Sequence, residues 1–463
     1  MSPPPTIERR TTRALGAFRI SELALAVLAL AWSGGRCEGQ TASLTRPPNF
    51  VVILADDLGY GDLGAYGATL IATPHLDRLA REGVRLTSFY SSANVCTAAR
   101  GGLLTGRYPI RLGLAGDVAR PTNDIALPEA ETTIAEALRP LGYRTALIGK
   151  WHLGSHLRHS PLRHGFDEFY GLLHSNDMLP LALYRGEEAI EEPVDQRTLT
   201  ERYTAEAIAF LERNRDRPFF LYLPHTFPHV PLHASERFAG TSRAGLYGDT
   251  VEAIDWSTGE ISKALRELGL DERTLVVFTS DNGPWWEGSS GVHRERKGTA
   301  WEGGLRMPFL ARWPGQLPAG SVSAEPAINL DLFPTFVRLA GGEVPTARPV
   351  DGRDLLPLLR GESGSPHEAI FLFDADRIAA VRSGRFKLVV ESKYVTVLAR
   401  IGHPDYYHHP GLLFDLALDP SESYSFTREQ PEVAARLARL LENGQRELGA
   451  RVPATVWTRP GSP

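Results

Sequence analysis

Cysteine is nearly absent: the 463-residue chain holds two, Cys37 and Cys96. Cys37 falls inside an N-terminal segment read below as an export signal, so the mature chain is expected to keep Cys96 alone. That excludes an internal disulfide framework. A basic excess is missing too, since 50 Lys and Arg stand against 55 Asp and Glu, for a formal net charge of −5. Nucleic-acid binding needs a surplus of positive charge on one face, so no nucleic-acid partner is expected. No apolar run approaches the roughly 20 residues of a membrane helix, which leaves no integral span. Internal repeats and low-complexity tracts are lacking as well. What remains, 42% hydrophobic and 23% charged, is a globular composition long enough for one large domain and a smaller one.

The first forty residues carry Arg9 and Arg10, an apolar run from Leu23 to Trp32, and small residues from Ser33 to Gly35. This is the pattern of a signal peptide, and its apolar run is too short to span a bilayer. Cys37 stands where a lipidated cysteine would lie, but Arg36 replaces the small residue expected before it, so cleavage is preferred to lipid anchoring. The mature protein is expected to be exported, either periplasmic or secreted.

Four runs read as strands buried on both faces: Phe50 to Ala55, Thr145 to Ile148, Phe219 to Leu223 and Leu275 to Thr279. Helical patterns separate them. Thr73 supplies a cap, Pro74 a first turn and Gly83 a stop for one helix; Glu201 to Glu212 and Asp249 to Leu268 read the same way. Alternation of this kind predicts an α/β sandwich, a large sheet between helices, with its site beyond the carboxyl ends of the strands. A change to short alternating runs such as Arg385 to Val390, followed by a helix from Pro431 to Glu447, predicts a smaller α+β lobe. The expected division is residues 47–366 for the large domain and 367–463 for the lobe, with turn-rich stretches at 341–354 and 361–366 between them.

All four strand ends carry groups capable of chemistry. Asp56 and Asp57 follow the first, Lys150 and His152 the second, His225 and His229 the third, Asp281 and Asn282 the fourth. The acidic residues and Asn282 offer only oxygen donors, a set suited to calcium or magnesium and unsuited to zinc. Lys150 and His152 point to one side if the chain stays extended. Either histidine of the third loop could protonate a leaving alcohol. Lys297 adds a cation in a glycine-rich loop, and Trp285 and Trp286 offer either a wall for a ring or plain packing. Cys96 is followed by Arg100 and Arg107 within twelve residues, and cations of that kind favour a thiolate and match the oxygens of sulfate or phosphate. The competing reading of Cys96 is an inert, buried helix start.

Taken in order, Cys96-Thr97-Ala98-Ala99-Arg100 with Leu104-Thr105-Gly106-Arg107, the Asp56-Asp57 pair, Gly149-Lys150-Trp151-His152-Leu153-Gly154, Gly165-Phe166-Asp167, Asp281-Asn282-Gly283 and the Lys297 loop resemble the sulfatase family. The likeness runs from Asn49 to about Arg312, and Gly106 to Gly113 places it nearest arylsulfatases and N-acetylgalactosamine-6-sulfatases of the alkaline phosphatase superfamily. The resemblance implies that Cys96 is oxidised by a formylglycine-generating enzyme, giving an aldehyde whose hydrate is both nucleophile and metal ligand. It implies calcium, with magnesium as the alternative, held by Asp56, Asp57, Cys96, Asp281 and Asn282. Arg100 and Lys150 would hold the hydrate. His229, which fits the family's His-x-Pro pattern, and Lys297 would grip the sulfate and leaving oxygen together with Lys150. His152 would take the proton that releases sulfate from a covalent sulfo-enzyme. Ala98 stands where the family most often has proline, and the tail resemblance through Asp419, Pro420 and Glu422 fades afterwards. The expected reaction is hydrolysis of aryl or carbohydrate sulfate esters. Hydrolysis of phosphodiesters or phosphonate monoesters, and non-catalytic binding of sulfated glycans by an unmodified Cys96, are the alternatives.

Overall fold

The computed structural model describes residues 46–393 and 406–451. The segment read as an export signal, with Cys37, lies outside the described residues.

The large sheet contains β1 (Asn49–Ala55), β2 (Val84–Tyr90), β3 (Arg144–Lys150), β4 (Glu168–Leu172), β5 (Leu183–Arg185), β6 (Glu188–Glu191), β7 (Phe219–Pro224), β8 (Thr274–Ser280), β9 (Arg306–Arg312), β10 (Ser321–Ser323) and β11 (Ala327–Ile328). Its order is β10-β2-β9-β8-β1-β7-β3-β4-β5-β6, with β11 beside β2. The central five strands, β8 to β4 in that order, run parallel, whereas β9, β5 and β6 are antiparallel to their neighbours.

Alternation along β1 shows why the sheet is a sandwich. Phe50, Val52 and Leu54 enter one core with Leu103, Phe220 and Phe336, while Val51, Ile53 and Ala55 enter the opposite one with Leu76, Tyr203 and Ile254. Burying each large side chain stabilises by roughly 1.5–3 kcal/mol, so the strand is held from both faces. The helices covering it are α1 (Pro74–Glu82), α2 (Cys96–Thr105), α3 (Ile134–Leu138), α4 (Leu199–Arg213), α5 (Gly245–Glu267), α6 (Glu302–Leu305), α7 (Leu332–Leu339) and α8 (Leu356–Leu359). The Thr73 cap expected for α1 is not made. Asp255 of α5 accepts from His75 N at 3.2 Å and Leu76 N at 2.7 Å instead, and Thr73 Oγ1 accepts from Gly64 N. A tertiary carboxylate has replaced the local hydroxyl.

A second, antiparallel sheet of four strands follows: β12 (Ile370–Asp374), β13 (Arg377–Ser383), β14 (Phe386–Lys393) and β15 (Tyr406–Asp415), with α9 (Pro431–Leu448). Its core is shared with the large sheet, since Tyr90, Trp301 and Leu330 pack in one cluster with Val381, Leu388, Leu413 and Leu437. Among the described residues no helix is long and apolar enough to cross a membrane.

Candidate active site

Parallel register brings the polar strand ends to one place. Ala55 pairs with Ser280 and Leu54 with Pro224, so the residues after β1, β7 and β8 emerge side by side. Asp56 N donates to Phe227 O at 3.1 Å and Asp281 N to Ala55 O at 3.2 Å, tying the three loops together. β3 delivers Lys150 at its last position, and α2 presents Cys96 at its first turn. Asp57 and His152 are held at φ of 64° and 59°, left-handed backbone that non-glycine residues adopt at a cost of order 1–3 kcal/mol. The extension expected to align Lys150 with His152 therefore ends at the strand; Trp151 N and His152 N bond to Leu172 O and Leu173 O.

Asp56, Asp57, Cys96, Arg100, Lys150, His152, Asp281 and Asn282 are buried together. Cys96 Sγ lies 3.5 Å from Asp56 Oδ1, 3.9 Å from Asp57 Oδ1 and 3.2 Å from Lys297 Nζ. Lys150 Nζ is paired with Asp56 Oδ2 and donates to Ser175 Oγ at 3.0 Å. Arg100 reaches Asp281 Oδ2 at 2.9 Å and the Lys150 carbonyl at 2.7 Å. Lys297 Nζ is 2.7 Å from Asp57 Oδ1, and His229 Nε2 is 3.7 Å from Asp57 Oδ2. Three carboxylates thus face three cations out of bulk water, where charges are tolerated only when paired.

Burial alone would raise the Asp56 carboxyl, but Lys150 and Arg100 outweigh it and hold it well below the usual carboxylate range. Asp281 moves the other way, pushed up by burial and by neighbouring Asp56. Burial also pushes the Cys96 thiol up, despite Lys297 beside it. Burial would lower the Lys297 ammonium, but Asp57, with Cys96, Asp56 and Asp281 behind it, outweighs this and raises it well above the usual lysine range. His152 is held neutral by burial and then by Lys150 and Arg100. Its Nε2 lies 3.0 Å from the Ala119 carbonyl, which can only accept, so Nε2 carries the proton and Nδ1 keeps a buried lone pair without a partner among the described residues.

A cation-binding role fits these groups. Ligand atoms of Asp56, Asp57, Cys96 and His229 all lie within 4.8 Å of one another. Asn282 donates its amide to Asp57 Oδ1 at 2.7 Å and Gly283 O at 2.9 Å, leaving its own Oδ1 buried and without a partner among the described residues. Asp281 falls outside that compact set; one of its oxygens accepts from Arg100 and the other from the backbone N–H groups of Asp57 and Asn282.

Arg107 is not at the site; it pairs with Glu131 at 3.2 Å beyond the end of α2. His225 is buried against Ser257, with its imidazole pushed down to about 3 by burial, and His229 is the histidine beside Asp57. Trp285 and Trp286 are half-buried and meet edge to face at 6.0 Å. Ser175, at the hydroxyl contact to Lys150, was not legible: a lone serine after β4 carries no motif.

A model of the sulfatase family matches residues 48–342, and one of the C-terminal region of aryl-sulfatase matches residues 365–455. Steryl-sulfatase of Mus musculus is 39% identical over 83% of this chain and 79% of its own length, and arylsulfatase A of Homo sapiens is 37% identical over 86% and 88%. Among solved structures, the PsFucS1 sulfatase from Pseudoalteromonas sp. superposes with a TM-score of 0.80 at 29% identity, covering 88% of this chain and 92% of that one. Motif order, sheet topology and overall likeness converge on one assignment: this chain belongs to the sulfatase family and is a sulfuric ester hydrolase.

Proposed function

We propose that the protein hydrolyses aryl or carbohydrate sulfate monoesters with Cys96 converted to formylglycine, working after export in the periplasm or outside the cell. Residues 47–366 would form the catalytic domain and 367–463 the smaller lobe, and a formylglycine-generating enzyme is the partner in maturation. The observation that carries this reading is the environment of Cys96. A thiol that acts as a nucleophile needs its pKa lowered, whereas this one is buried and raised, with carboxylates at 3.5 and 3.9 Å. Those surroundings suit an oxygen nucleophile and ligand made from the cysteine, not the cysteine itself.

Asp56, Asp57, Asp281 and Asn282 would hold calcium, or magnesium in second place, together with the modified residue 96. The bound ion supplies positive charge to the sulfuryl oxygens, and the hydrated aldehyde supplies a hydroxyl nucleophile. Arg100 and Lys150 fix that group from the carboxylate side. Lys297 stays charged and, with Lys150 and His229, would meet the oxygens of the ester, so that charge developing in the transition state is neutralised by groups already in place. His152 would accept a proton at Nδ1, the nitrogen that the Ala119 contact leaves free.

The test is a mass spectrum of the tryptic peptide Leu86–Arg100 from active protein. The expected peptide is lighter than its thiol form and reacts with a hydrazine, and Cys96→Ala abolishes turnover of an aryl sulfate. An unmodified thiol in fully active protein overturns the reading; an unmodified thiol in inactive protein that still binds sulfated glycans replaces it with a binder. Faster turnover of a phosphonate monoester than of any sulfate ester would move the substrate class.

A further inference from the structure

The loop that carries Lys297 is fastened from outside the site by a buried cluster of charges on the second sheet. Lys387, on β14, is fully buried, and its ammonium has three partners: Ala300 O at 2.9 Å, Glu302 Oε1 at 3.0 Å and Glu422 Oε1 at 2.8 Å. Glu422 also accepts from Glu302 N through Oε2 at 2.8 Å, and its backbone carbonyl accepts from Arg294 Nη1 at 2.8 Å. One residue further back along the loop, a ring nitrogen of His293 lies 3.0 Å from Pro420 O. Glu302 completes the cluster, accepting from Tyr90 OH at 2.6 Å and pairing with Arg306 at 3.1 Å.

These contacts grip the loop at both ends, at 293–294 and at 300–302, with Lys297 midway. Between the grips the chain has little freedom. Lys297 N donates to Pro284 O and Gly298 N to Asn94 O, each at 3.0 Å, and a Cβ on Gly303 would stand 2.1 Å from Glu295 O. No hydrogen bond or ion pair joins Lys387, Glu302 or Glu422 to Cys96 or to the carboxylates around it. Three ions with no exposure are an expensive way to hold a fold together, because desolvation offsets most of the attraction. What such a cluster supplies is geometry: the position of the Lys297 ammonium, 2.7 Å from Asp57 and 3.2 Å from Cys96.

We infer that Lys387 and Glu422 are positioning residues for the reaction, acting through the Lys297 loop; the inference rests on the reading of Lys297 as a group that meets the ester. The test is a double-mutant cycle on the full chain, with kcat and KM for an aryl sulfate measured well below the melting temperature of each variant. Lys387→Met is expected to lower kcat/KM about 10- to 100-fold, as small misplacements of a catalytic group do. Combined with Lys297→Ala it should cost no more than Lys297→Ala alone, because the residue it positions is already gone. Should Lys387→Met fail to fold, Glu422→Gln runs the same cycle; it keeps an acceptor for Glu302 N and leaves the Lys387–Glu302 pair intact. Losses that multiply in a folded double variant overturn the inference alone, as does a folded Lys387→Met or Glu422→Gln with parental turnover. A Lys297→Ala variant of undiminished activity overturns the reading of Lys297, and the inference with it.

Discussion

Asn282 commits its amide nitrogen to Asp57 and to the Gly283 carbonyl, and thereby buries an oxygen that nothing among the described residues satisfies. An unmet buried acceptor costs roughly 1–3 kcal/mol, so the chain gives up stability at a point where a cation would return it. Asp57, strained at φ 64°, and the carboxylate of Asp56 point to the same conclusion. Calcium should therefore stabilise the protein by mass action, by about 2.7 kcal/mol at a concentration 100 times its dissociation constant. Asn282→Leu should bind calcium at least about 10-fold more weakly by titration calorimetry, the loss of one oxygen ligand being on the order of 1.4 kcal/mol or more. It should also lose most of the thermal shift. Equal affinity in parent and variant would remove Asn282 from the ion's ligands.

At the level of strands, β3 and β7 approach so closely at Gly149 that a side chain is excluded there. Gly149 and Gly171 are register partners, and a Cβ on Gly149 would sit 1.9 Å from Pro224 O while its φ is 132°. Gly149→Ala must either break the β3–β7 pairing or move Lys150, the next residue. A loss of at least about 3 kcal/mol in urea unfolding is expected, at the upper end for single substitutions, with turnover falling as Lys150 shifts. A parental midpoint would mean that the strands can part without cost. The four strands read from the sequence are those with unbroken apolar runs, and each was found within a residue or two of its expected ends. β4 and β9 were missed for chemical reasons. Glu168 opens β4 and Gly171 interrupts it, while β9 contains Pro308 and is bounded by arginines. Asp56, Asp57, Asp281 and Asn282 were legible because they sit directly after strands, and Lys150 because it ends one. Ser175 and the Asp281–Arg100 pairing depend on which strands become neighbours, and local patterning does not encode that order.

Across the whole molecule, the boundary near residue 366 is visible in composition but is not an interface between two finished cores. Tyr90 of β2, with Trp301 and Leu330 from the same part of the chain, shares one apolar cluster with β13, β14, β15 and α9, and buried Glu302 pairs with Lys387 and Arg382 of the second sheet as well as with Arg306. Removing the second sheet would expose that apolar surface and strip Glu302 of Lys387, leaving buried charge poorly compensated; uncompensated buried ions cost several kcal/mol each. A whole domain is stable by only about 5–15 kcal/mol, so the large sheet alone has no margin for this loss. Residues 46–364 produced without the rest should therefore be insoluble or lack a cooperative urea transition. The full chain should unfold in one step, with circular dichroism and aryl sulfate turnover lost together. A soluble 46–364 fragment with its own sharp transition would show that the second sheet is an appendage, and that the shared cluster contributes little to the fold that carries the site.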